Sequence, residues 1–182
     1  MMSEEQRDEG VAKAAETFHE FLSRGGATQR YHTEQLIKPQ NIAAHSFGVA
    51  WYCWFLSARN PSANLLMAAL AHDMAEQVTG DMPSPAKRKL GIGAEFAAME
   101  AEVMMVYGVP NFEALLTEDE KITLKRADVL DGMAKCLAER QLGNRGLHKV
   151  YMNFVKYYSQ LPVCELGDQL LSVIGEQYDQ CS

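Results

Sequence analysis

The 182-residue chain has no run of eighteen or more apolar residues, so no segment reads as a membrane-spanning helix. Its opening residues, Met-Met-Ser-Glu-Glu-Gln-Arg-Asp-Glu-Gly, are acidic and polar where a secretory signal would be basic and then apolar. A cytoplasmic protein is therefore expected, in the host cytoplasm if the chain is phage-encoded. The four cysteines, Cys53, Cys136, Cys164 and Cys181, are scattered without a C-x-x-C pair, which fits reduced, mostly buried thiols better than a zinc knuckle or a disulfide framework. Positive charge is also scarce: 17 Lys and Arg against 24 Asp and Glu leave a net charge of -7. A nucleic-acid backbone or an anionic membrane is thereby disfavoured as the main partner. No alternating strand, internal repeat, low-complexity tract or linker occurs.

What is present is 47% hydrophobic content, enough for one sizeable core and short for two, so a single domain over 1–182 is expected. Apolar residues recur at helical spacing almost throughout, and an all-α, single-domain helical bundle follows. The pattern predicts a helix from Val11 to Ser23 closed by Gly25-Gly26, a loop from Ala27 to Gln40, and a helix from Ile42 to Ala58. Asn60-Pro61 reads as the start of a third helix ending near Gly80, and Pro83 and Pro85 impose an extended or turning segment. Further helices are predicted over Ala94–Tyr107, over Glu118–Leu142 behind a capping box at Thr117 to Glu120, and then over 144–158 and 162–178. Val150, Tyr151, Phe154, Val155 and Tyr158 form an apolar stripe that a small domain would struggle to bury alone, so a homo-oligomer, dimer or hexamer, is expected.

His72 and Asp73 interrupt the apolar stretch Leu-Leu-Met-Ala-Ala-Leu-Ala-His-Asp-Met-Ala-Glu. Burying those groups unpaired would cost several kcal/mol, and a coordinated metal ion removes most of that cost. His45 upstream and Asp128 downstream complete a candidate set of two imidazoles and two carboxylates. Such a mixed nitrogen and oxygen set suits Mn, Fe, Co, Zn or Mg, and leaves positions free on a six-coordinate ion. Glu76, one helical turn beyond His72, is placed to orient or deprotonate a water. Singly, His45 would be a hydrogen-bonded core histidine and Asp128 a helix-surface carboxylate; their joint occurrence with the doublet makes the metal set the better reading. His19, His32 and His148 have no such support and read as structural or exposed. Arg30, Lys87, Arg88, Lys89, Lys125 and Arg126 fall near the metal set or the loop after it, which favours a phosphate site.

The order His45, His72-Asp73, Asp128 resembles the HD superfamily of metal-dependent phosphohydrolases. More narrowly, Arg30-Tyr31-His32, Gln40-Asn41-Ile42-Ala43-Ala44-His45-Ser46 and the run from His72 through Glu76, Thr79-Gly80-Asp81 and Pro85-Ala86-Lys87 look like bacterial 5'-deoxynucleotidases and compact phage dATP triphosphohydrolases. The similarity spans roughly residues 30–140. It implies an HD-type bundle, a divalent ion on His45, His72, Asp73 and Asp128, and Glu76 as the catalytic residue. It also implies that Arg30, Lys87 and Lys125 hold phosphate, and that Asp81, with Tyr31 and Pro85 nearby, meets the deoxyribose of a small-molecule deoxynucleotide. Tyr31 replaces the more usual tryptophan, and Ala44 stands where bacterial nucleotidases often carry glutamate.

The surplus of basic residues and the Arg-Tyr-His-Thr loop favour a dNTP triphosphohydrolase preferring dATP. A 5'-deoxynucleotidase acting on dNMPs is the alternative, and a non-catalytic metal or nucleotide sensor is an alternative from another class. Glu76 argues against a sensor, which has no need of it. HD enzymes of cyclic or tetraphosphate signals are disfavoured because their additional motifs are missing.

Overall fold

The computed structural model describes residues 4–181; Met1–Ser3 and Ser182 of the expected domain lie outside the described residues. The chain is an all-helical bundle, as the apolar periodicity predicts, and the described residues contain no strand beyond an isolated bridge between Gln29 and Asn41. Among the described residues no helix is long and apolar enough to cross a membrane.

Two helices make the spine. Helix α2, Ile42–Leu56, begins at Asn41, whose side chain accepts the Ala44 N–H. Helix α7, Glu118–Gln141, opens with the expected capping box, in which Thr117 and Glu120 satisfy each other's backbone donors. Their inward faces bury Val49, Cys53, Ala127, Leu130 and Met133 completely or nearly so. Helix α3, Ala63–Ala71, packs on this pair through Leu65, Ala68 and Ala69. Helices α8, His148–Tyr158, and α9, Glu165–Gln180, cover the far end of α7, where Tyr151 stacks on Tyr178 at 3.6 Å between ring centroids.

Several boundaries differ from expectation for identifiable reasons. Helix α1, Glu4–Ala27, runs through Gly25-Gly26 instead of ending before them. A Cβ on Gly25 would lie 2.6 Å from Met74 Cε, and one on Gly26 would lie 3.3 Å from Ala43 Cβ, so these glycines permit close packing and do not cap. The N-cap of α3 is Ser62, which accepts the Leu65 N–H at 3.0 Å, and not Asn60. The helix predicted to reach Gly80 stops at Ala71; His72 to Ala75 form turns before the short α4, Glu76–Thr79. The two prolines start a helix, α5, Ser84–Leu90, since proline is tolerated in a first turn. Helix α6, Gly93–Val106, and a 3-10 turn over Phe112–Leu115 follow.

The stripe on α8 faces inward. Tyr151 and Tyr158 are buried, Val150 and Val155 pack on the same core, and Phe154 lies over Gly132, where a Cβ would come within 2.5 Å of its ring. That stripe closes the monomer core, so it gives no argument for an oligomer.

Candidate active site

The break after Ala71 is what builds the site. The His72 Nδ1 bonds to the Ala69 carbonyl oxygen at 2.9 Å, which aims Nε2 away from its own helix. Asp73, in the turn that follows, comes beside His45 of α2. His45 from α2, Asp73 from the turn and Asp128 from α7 meet there. The His45 Nε2 lies 3.2 Å from His72 Nε2, 3.4 Å from Asp73 Oδ2 and 3.4 Å from Asp128 Oδ1. The Asp73 Oδ2 is also 3.5 Å from His72 Nε2. One ligand atom from each of His45, His72 and Asp128 falls within a 4.8 Å group.

This donor set fits a cation. The His72 Nδ1 faces a carbonyl, which can only accept, so that nitrogen carries the proton and a neutral His72 presents its lone pair at Nε2. The His45 Nδ1 faces a carboxylate of Asp131 at 2.6 Å, with the same consequence. Two imidazole lone pairs and two carboxylates therefore converge, an arrangement that a divalent ion satisfies and that repels itself otherwise.

The sequence-derived contacts distribute as follows. Arg30 is buried, its guanidinium 3.9 Å from each of Asp73, Asp128 and Asp131. Tyr31 has φ 57°, and its backbone N–H donates to Asp81 Oδ2 at 2.7 Å. Lys125 donates to Asp128 Oδ2 at 2.8 Å. Lys87 lies 3.8 Å from Glu76 Oε1 and donates to Glu100 at 3.3 Å. All of these, with Asp73, Glu76, Pro85, Arg88, Lys149, Phe154 and Tyr157, line one cleft of about 910 Å³. Two of the basic residues are not brought to it. Arg126 is buried against Tyr158 and donates to the Pro162 carbonyl, and Lys89 is exposed outside the cleft lining.

The charges are mutually tuned. Burial opposes ionisation of Asp73 and of Asp128, yet His72, His45 and Arg30 hold Asp73 below its usual value, and Lys125 with the histidines holds Asp128 well below. Burial also works against a charged His45, but its bonds to Asp128 and Asp131 outweigh that and raise it. Glu76 goes the other way: burial first, then the Asp73 and Asp81 charges, push it up to about 9. Among the described residues its Oε2 is buried without a hydrogen-bond partner, as is the Nε of Arg30.

Two acidic residues that the sequence did not single out matter here. Asp131, three residues after Asp128 and so on the same face of α7, contacts His45 as described. Glu139 is fully buried and accepts the Ile37 and Lys38 backbone N–H groups at 2.7 and 2.9 Å, Lys135 at 2.7 Å and Asn144 at 2.8 Å. Burial opposes its charge, but these four donors hold it down at about 2. It ties the loop that carries Arg30 and Tyr31 to α7. The available signal was spacing: Asp128, Asp131, Lys135 and Glu139 recur every three or four residues on one helix.

The model of the 5'-deoxynucleotidase YfbR-like family matches residues 17–168. The chain belongs to this family. Among its relatives, a 5'-deoxynucleotidase of Cronobacter sakazakii is 32% identical, covering 70% of this chain and 74% of that protein. One of Enterobacter sp. is likewise 32% identical with the same coverage. In fold, the chain resembles the HD phosphohydrolase DatZ of cyanophage S-2L, solved bound to dA and one catalytic Zn2+ ion. The TM-score is 0.67 at 24% identity, covering 89% of this chain and 96% of that one. A protein of Pyrococcus horikoshii OT3 matches with a TM-score of 0.66 at 21% identity, covering 91% and 98%. As a member of the YfbR-like 5'-deoxynucleotidase family the chain is a hydrolase, and the sensor alternative falls away.

Proposed function

We propose that the protein is a metal-dependent 5'-deoxynucleotidase, which hydrolyses 2'-deoxynucleoside 5'-monophosphates to the deoxynucleoside and inorganic phosphate. The observation that carries this reading is the convergence of His45, His72, Asp73 and Asp128 at one end of a cleft whose walls carry Arg30, Lys87 and Lys125. An ion held by those four side chains supplies, when bound, Lewis acidity toward a phosphate oxygen and a more acidic water. Arg30 and Lys125 balance the remaining phosphate charge. In the ion-free protein burial, then the Asp73 and Asp81 charges, push Glu76 up to about 9, and a cation bound nearby would lower it. It is therefore placed to accept the proton of the attacking water and to return one to the departing 5'-oxygen. Asp81, Tyr31 and Pro85 stand at the sugar, where a carboxylate and close packing disfavour a 2'-hydroxyl.

The triphosphate preference expected from the basic surplus has less support. Arg126 and Lys89 do not contribute to the cleft. The named relatives are also nucleotidases. Product analysis with dAMP, AMP, dATP and dGTP under Mn, Co, Zn and Mg tests this. Phosphate released from dAMP faster than from AMP is expected; faster release of triphosphate from dATP would restore the triphosphohydrolase reading, with its preference for dATP.

A homo-oligomer remains part of the proposal. Its surface would be α2, where Phe47 and Trp51 are exposed by more than half, and not α8. Light scattering at micromolar concentration reads it directly, and a monomeric mass would contradict it.

A further inference from the structure

Asp131 is assigned neither to the ion nor to the substrate, yet it is buried and sits in the most specific contact of the site. Helix α7 addresses both nitrogens of one imidazole. Asp128 Oδ1 lies 3.4 Å from His45 Nε2, and Asp131, three residues on, has Oδ2 2.6 Å from His45 Nδ1. Two neighbours seat that carboxylate. Gln40 donates from Nε2 to Asp131 Oδ2 at 3.2 Å, while its own Oε1 faces Arg30 Nη1 at 3.5 Å. Gly48, three residues after His45 on α2, leaves room on the other side, because a Cβ there would overlap Asp131 Oδ1. A glycine inside a helix is destabilising by roughly 0.5–1 kcal/mol relative to alanine, so α2 gives up stability where the carboxylate enters.

A neutral imidazole carries one proton. A carboxylate at Nδ1 keeps that proton there, fixes the ring's rotation and raises the basicity of Nε2 toward a metal. We propose that Asp131 is the positioning residue for His45, seated by Gly48 and Gln40, and that this contact sets how tightly the site holds a divalent cation. The inference rests on the reading of His45, His72, Asp73 and Asp128 as a metal site. Through Gln40 the same carboxylate is linked to Arg30, so the cation end and the phosphate end of the cleft share one support.

The test is Co2+ binding to chelator-stripped protein, by calorimetry and by the Co2+ absorption bands, for the wild type, Asp131→Asn and Gly48→Ala. Gly48→Ala removes no polar group, and it reaches the site by displacing the carboxylate. Both variants are expected to bind Co2+ about 10- to 100-fold more weakly, with altered absorption bands and an unchanged helical circular dichroism spectrum. A role confined to packing would lower the melting temperature and leave the affinity and the bands as they are. A folded variant that binds Co2+ within about twofold of the wild type overturns the proposal. Should Asp131→Asn fail to fold, Gly48→Ala decides alone. Wild-type protein that binds no divalent ion is a different result: it removes the metal site itself, and the proposal with it.

Discussion

The Oδ2 atom of Asp81 accepts the backbone N–H of Tyr31 at 2.7 Å, and Tyr31 is held there at φ 57°. A left-handed conformation costs a non-glycine residue on the order of 1–3 kcal/mol, so it persists only where neighbours enforce it. Asp81 therefore does structural work on the Arg30–Tyr31 loop in addition to its proposed place beside the sugar. Asp81→Ala should destabilise the protein by about 1–3 kcal/mol, the range for leaving a buried donor without its partner. On a Tyr31→Gly background the loss should shrink, because glycine needs no such restraint. Denaturant unfolding of the four proteins measures this, and equal losses in both backgrounds would contradict it.

Glu76→Gln keeps the shape of the side chain and removes its proton chemistry. Turnover should fall by about 10²-fold or more while deoxynucleotide binding is retained. Stability gives a second readout in ion-free protein. The folded pKa of about 9 lies above the usual 4.5, so the contribution of Glu76 is full below 4.5 and is lost as pH rises through 9. The wild type should thus weaken relative to Glu76→Gln across that window. Parallel stability profiles for the two proteins would count against a neutral, buried Glu76.

The Glu139 carboxylate has the opposite sign. Its folded pKa of about 2 lies below the usual 4.5, so its contribution is present above 4.5 and is lost as pH falls toward 2. Glu139→Gln should be less stable than the wild type at pH 7, and the gap should close on acidification. Glu139→Ala leaves Lys135 buried beside an emptied position and should cost about 3–5 kcal/mol. Unfolding midpoints between pH 2 and 7 supply the check; a constant gap would refute the role given to its charge.

The residues that meet at the site were legible in the sequence because their chemistry is conspicuous: His72 and Asp73 break an apolar run, and His45 interrupts another on α2, with Asp128 following on the capped α7. The break that turns them toward the cleft was not legible. Alanine and leucine before His72 favour continuing a helix, and the stop at Ala71 depends on tertiary packing of the turn that follows. Gly25-Gly26 read as a cap because glycine's conformational freedom is local information, whereas the contact with Met74 is not. The α8 stripe misled for the same reason: an apolar face does not say which surface covers it. Asp131 and Glu139 were hidden among ordinary helix charges, and only the registry of α7 against His45 and the 37–38 backbone reveals them.

Arg30 lies between three carboxylates, so its guanidinium both neutralises the site and faces the cleft. Arg30→Lys keeps one charge but loses the planar fork. The Michaelis constant for a dNMP should rise about tenfold or more, with a smaller change in kcat. A variant with wild-type kinetics would place phosphate binding elsewhere in the cleft.

The most direct measurement is phosphate release from dAMP by one preparation in three states: as purified, stripped with chelator, and reconstituted with Co2+, Mn2+ or Zn2+. Convergence of two imidazoles and two carboxylates predicts that stripping abolishes release and that at least one ion restores it. The ion should also stabilise the fold by about 2.7 kcal/mol at a hundredfold excess over its Kd. Stripped protein that turns over dAMP at the original rate would contradict the metal-dependent mechanism at its root.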